Sequence, residues 1–118
     1  MTFWVTAWLR AFGLTLLVEV PIAIWLLAMV DKRPARRVAI VVLANLATHP
    51  LVWFLFPGLA LGSAARFALS EAWAVGAETA VYTIVWPALP VRRAALVSLI
   101  ANASSVAVGL ILRRLGAA

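Results

Sequence analysis

Apolar residues run along this chain in four long blocks, with none of the two-residue alternation that marks a membrane β-strand. The blocks fall at 11–30, with residues 3–10 leading into the first, then at 38–56, 67–86 and 94–112. Each is close to the ~20 residues a helix needs to cross the hydrocarbon of a bilayer. Short polar breaks at 31–37, 57–66 and 87–93 separate them and hold Pro34, Pro57, Gly58, Pro87 and Pro90. The pattern predicts an all-α integral membrane four-helix bundle: four transmembrane helices, short loops, a single domain over 1–118. Four spans use about 80 residues and leave no room for a soluble domain. The first block reads as a retained helix and not a signal peptide, because no basic segment precedes it and it carries Glu19 and Pro21.

Composition agrees with this reading. Hydrophobic residues make up 66% of the 118 and charged residues 12%, with a mean hydropathy of +1.08. A soluble core of this size cannot hide that much apolar surface, so a soluble globular domain, a disordered tail and an ordinary nucleic-acid binder are excluded. The chain has no cysteine, hence no disulfide framework and no thiolate metal site. Its net charge of +6 is explained by topology. Lys32, Arg33, Arg36, Arg37, Arg92 and Arg93 flank one face, while Arg10, Arg66, Arg113 and Arg114 flank the other. Six against four predicts that loops 31–37 and 87–93 are cytoplasmic and the termini lie on the opposite side. Trp4, Trp8, Trp53 and Trp86 stand near block ends, where aromatic belts form. The lipid bilayer is the expected partner, with no nucleic acid.

Chemistry enters through the residues that lipid rejects: Glu19, Asn45, His49, Glu71, Glu78 and Asn102, with Thr48, Tyr82 and Ser105 beside them. At ~1.5 Å per residue from the face holding Arg66, Glu19 lies roughly 12 Å deep and His49 and Ser105 about 10 Å. Asn45, Glu78 and Asn102 lie about 15–17 Å deep. Every block thus brings a polar group to one middle layer. An acid near the bilayer centre costs about 2.5–3.5 kcal/mol, while each strongly apolar residue returns only about 0.3–0.6. The third block therefore sums to near zero, and it must face partners that satisfy Glu71 and Glu78.

Helical spacing groups these residues. Asn45 and His49 share a face one turn apart, and Glu71, Glu78 and Tyr82 lie on one stripe. Ser98, Asn102, Ser105 and Gly109 form a packing seam on the fourth block, and Ala68, Ala72 and Gly76 give the third a similar small-residue face. Pro50 and Pro21 leave the carbonyls of Leu46 and Leu17 without intrahelical donors, close to His49 and Glu19. Free acceptors beside ionisable side chains suit a proton or a cation.

Plainer roles compete with this one. Interhelical hydrogen bonding accounts for Asn45, Asn102, Thr48 and Ser105. Glu71 is expected to pair with Arg66 near the interface, and Arg10 to snorkel. His49 divides evenly between a satisfied core residue and a functional one. Glu19 and Glu78, as intramembrane acids, are the functional candidates by default. No enzyme signature is present, and no motif names a cofactor. Glu19, His49 and Glu78 have the chemistry of a metal site without its diagnostic spacing. The expectation is a small polytopic membrane protein that handles a proton or cation through Glu19, His49, Glu78, Asn102 and Asn45, as a homo-oligomer or with a membrane partner. The alternatives are a structural or assembly subunit of a larger complex and, less favoured, an intramembrane metal-dependent enzyme.

Overall fold

The computed structural model describes residues 2–116. Among them the chain is all-helical and builds four long helices: α1 (Phe3–Leu26), α2 (Pro34–Pro50), α3 (Ser63–Val85) and α4 (Val91–Arg114). The expected helix order holds. The boundaries move, however. The first helix starts at Phe3 and stops at Leu26, four residues before the end of its apolar block, because residues 27–30 tighten into turns. Thr2 caps it, its hydroxyl accepting the Val5 N–H at 3.4 Å. Pro34 opens α2 at a position where a missing N–H costs nothing.

Past Pro50 the second helix widens into π geometry over Leu51–Leu55 and ends in a 3-10 turn at Phe56–Gly58. Proline removes one helical donor, and the wider turn follows it directly. Across the junction the Trp73 indole N–H of α3 donates to the Thr48 carbonyl at 3.2 Å.

Among the described residues three helices are long and apolar enough to cross a membrane: α1, α2 with its continuation to Gly58, and α4. α3 is not. The physical reason is the one its sequence gives: Arg66, Ser70, Glu71, Glu78, Thr79 and Thr83 dilute its apolar content.

The helices close a ring in which α1 and α3 each pack against α2 and α4. At the end bearing residues 27–33 and 86–90, the core interlocks Leu27, Val41, Tyr82, Trp86, Leu89 and Val97 around Ala23, Ala44 and Ala94. The loops there are knotted by Asp31, whose side chain is 3% exposed. Its carboxylate accepts from the Arg33 backbone at 3.0 Å, as in an Asx turn, and from the Arg33 guanidinium at 3.1 Å. Arg36 donates at 2.7 Å and the Trp86 indole at 3.1 Å. Trp86 is therefore a core residue, 5% exposed, and not a belt residue. Arg33, counted only as a topological charge, holds the Asp31 carboxyl well below the usual carboxylate range, helped by Arg36 and Trp86. Arg37 donates to the Ile24 carbonyl near the end of α1.

Candidate functional site

At the opposite end the bundle does not close. A cavity of about 1150 Å³ begins between the start of α1 (Phe3, Arg10) and the end of α4 (Arg113), and runs down to Glu19, Asn45 and Asn102. Small side chains leave the space: Ala7, Ala11, Ala74 and Gly109 all line it, and a Cβ added at Gly109 would meet no atom within 4 Å. The floor coincides with the polar layer that the sequence places near mid-depth.

α4 organises this floor. Its seam donates to both acids, one on each side. Ser98 Oγ and Asn102 Nδ2 donate to Glu78 Oε2 at 2.9 Å each, and Asn102 also reaches Oε1 at 3.2 Å. One turn further along, Ser105 Oγ donates to Glu19 Oε1 at 2.8 Å and lies 3.0 Å from the Asn102 carbonyl. Ser98 and Ser105 thus do more than pack: they hold α3 and α1 to α4 through carboxylates. These bonds offset the cost of placing two acids where only 1% of each residue is exposed.

The two acids differ in what remains free. Both Glu78 oxygens are engaged, and Glu78 is absent from the cavity wall. Glu19 lines the cavity floor beside Asn45, and its Oε2 is buried with no hydrogen-bond partner among the described residues. An orphaned buried polar atom is uncommon in a folded protein.

His49 joins neither acid. Its Nδ1 accepts the Trp8 indole N–H at 3.0 Å and its Nε2 lies 3.3 Å from Thr15 Oγ1. In the neutral ring the hydrogen then sits on Nε2. Phe12 lies 5.1 Å away, centroid to centroid, and Trp53 6.5 Å. His49 is thus a satisfied member of an aromatic cluster between α1 and α2, although it lines the cavity. Asn45 spends one donor on the Val41 carbonyl of its own helix at 3.0 Å, while still lining the floor beside Glu19.

Three further expectations change. Glu71 forms no ion pair with Arg66 among the described residues, where both ion pairs belong to Asp31. It lines the cavity half-buried. Ala72 and Gly76 face outward on α3 and not into the bundle; both are exposed, and nothing lies within 4 Å of a Cβ at Gly76. The helical phase explains this, since the stripe of Glu78 and Tyr82 takes the inward face. Finally, no three metal-ligating side chains converge among the described residues, and Glu19, His49 and Glu78 are not brought together. Sequence reasoning missed the Asp31 knot and the Trp8–His49 and Trp73–Thr48 bonds. Only Asp31 carried a usable signal, an acid just ahead of Arg33 and Arg36.

The chain matches no protein family, no curated protein and no solved structure. Its function is therefore read from the site alone.

Proposed function

We propose that the protein is a membrane-embedded four-helix bundle that handles a proton or a cation, admitting it from the face of the termini and holding it at Glu19. In this reading α3 also crosses the bilayer, sheltered between α2 and α4, with α4 supplying the partners of Glu78. Loops 31–37 and 87–93 lie in the cytoplasm by the excess of Lys and Arg on that face. The observation that carries the reading is the free Glu19 Oε2 at the floor of a cavity open to one end. A carboxylate oxygen without a donor in a low-dielectric site is where a proton or cation gains most. Ser105 orients that carboxylate through its bond to Oε1, Asn45 lines the floor beside it, and His49 shapes the wall.

The cavity stops at the packed core of the loop end, so passage to the other side needs that core to open or a second subunit to complete the path. A structural or assembly role is the alternative reading, and it draws on the outward small residues of α3, a surface that lets another helix approach closely.

Reconstitution separates the two. In liposomes carrying a pH-sensitive or cation-sensitive dye, the purified chain is expected to dissipate an imposed gradient. Glu19→Gln is expected to abolish that flux, because an amide neither titrates nor neutralises charge. Equal flux through the wild type and Glu19→Gln would remove Glu19 from the mechanism, and no flux from either would favour the structural role.

A further inference from the structure

The proton is the smallest occupant Glu19 could serve, and the cavity above it is far larger than a proton or a bare ion requires. At about 1150 Å³ it slightly exceeds the range of small-molecule sites, roughly 300–1,000 Å³. Its walls are Leu14, Val52, Trp53, Phe67 and Val106. Two carboxylates are available within it at different depths. Glu71 is half-buried and makes no hydrogen bond or ion pair among the described residues. Glu19 lies deeper, with Oε2 wholly buried and unpartnered. By the helical rise Glu71 stands about 10 Å nearer the open end than Glu78.

We propose that this cavity binds an organic ammonium ion with an apolar body, its charge held by Glu71 on arrival and by Glu19 at full depth. The assignment rests on the preceding reading of Glu19 as the charge-holding group and names the ligand class. Two features select it. Glu71 has no partner among the described residues and Glu19 keeps one oxygen unpartnered, so both can hold a cation. The apolar and aromatic wall rewards desolvated carbon and offers the face of Trp53 to the cation. Arg10 and Arg113, both exposed at the rim, disfavour the approach of a cation and set a threshold against weak ones. Alkylammonium chemistry is shared by free amines and by ethanolamine lipid headgroups, and the experiment distinguishes these sources.

The test is equilibrium dialysis of labelled phenethylammonium against the full chain in uncharged detergent. Saturable binding is expected, weakened about tenfold or more by Glu71→Gln or Glu19→Gln, the loss of one contact to a charged group. Glu71→Gln removes no hydrogen bond seen in the fold, so it keeps the test valid if Glu19→Gln is poorly folded. Arg113→Gln is expected to tighten binding, since phenethylammonium carries no anionic group for Arg113 to hold; weaker binding would contradict repulsion at the rim and overturn the assignment. Repeating the titration in phosphatidylcholine vesicles with and without phosphatidylethanolamine identifies the source: competition by the ethanolamine lipid marks a headgroup, and no competition a free amine. Phenethylammonium binding that is absent, or unchanged in both Gln variants, overturns the proposal. If Glu19-dependent flux persists while phenethylammonium fails to bind, only this ligand assignment falls; if phenethylammonium binds and no flux occurs, only the transport reading falls.

Discussion

The two ends of this bundle are made from the same four helices and come out opposite. At the loop end Tyr82, Trp86, Leu89 and Leu27 fill the space between Ala23, Ala44 and Ala94, alternating large with small as dense packing requires. At the end of the termini Ala7, Ala11, Ala74 and Gly109 line an open cavity, while the aromatic residues Trp8, Phe12 and Trp53 gather around His49 to one side. The boundary falls at Glu19, Asn45, Glu78 and Asn102. Placement within this boundary decides each acid's character. Glu78 lies where α3 and α4 are in tight contact and is saturated; Glu19 lies where the packing stops, and one oxygen is left over.

The comparison can be broken most strongly by removing a large residue from each end. Trp86→Ala should cost about 3 kcal/mol, since it empties the packed core and removes a donor to Asp31. Trp53→Ala, on the cavity wall, should cost well under half of that. Unfolding of the full chain in mixed micelles measures both, and equal losses would mean that the two ends are packed alike.

Substitutions at the boundary have a smaller effect. Glu78→Gln replaces one acceptor oxygen with a donor that faces Asn102 or Ser98, and should cost about 1 kcal/mol while leaving Glu19-dependent flux in place. Flux lost with Glu78→Gln at unchanged stability would move the charge-holding role to Glu78.

Acid distinguishes the loop end. Because Asp31 is held below its ordinary value of 3.8, its contribution is complete above that value and is lost as pH falls beneath it. As pH falls below about 4 the wild type should lose more stability than Asp31→Asn, with the cost smaller than that of Trp86→Ala. Identical profiles would show that the knot contributes nothing. The smallest effect is expected from Glu71→Gln, within about 0.5 kcal/mol, since its carboxylate touches no partner in the fold.

Much of this was legible in the sequence. Apolar block length gives the helix count and order, and the depth of Glu19, Asn45, Glu78 and Asn102 gives the layer, because rise per residue converts position into height. The α4 seam was also readable, down to Ser98 and Ser105. Rotation was not. Ala72 and Gly76 turned outward because the small-residue face of α3 competes with the stripe of Glu78 and Tyr82, and burial of that stripe decides the phase. His49 turned to Trp8 and Thr15 through packing between α1 and α2, which no local spacing encodes. The cavity itself is a statement about what fails to meet, and only the assembled helices reveal it.

The proposed function requires that water and solutes reach the Glu19 layer from the end of the termini. The chain has no cysteine, so single substitutions report cleanly. In sealed, oriented vesicles, Thr6→Cys and Ser70→Cys on the cavity wall should react with a membrane-impermeant thiol reagent applied on the termini side only. Ala94→Cys and Ala101→Cys in the packed interior should resist it from both sides. Labelling of Thr6→Cys and Ser70→Cys from the loop side, or of Ala94→Cys as fast as Ser70→Cys, would contradict the account.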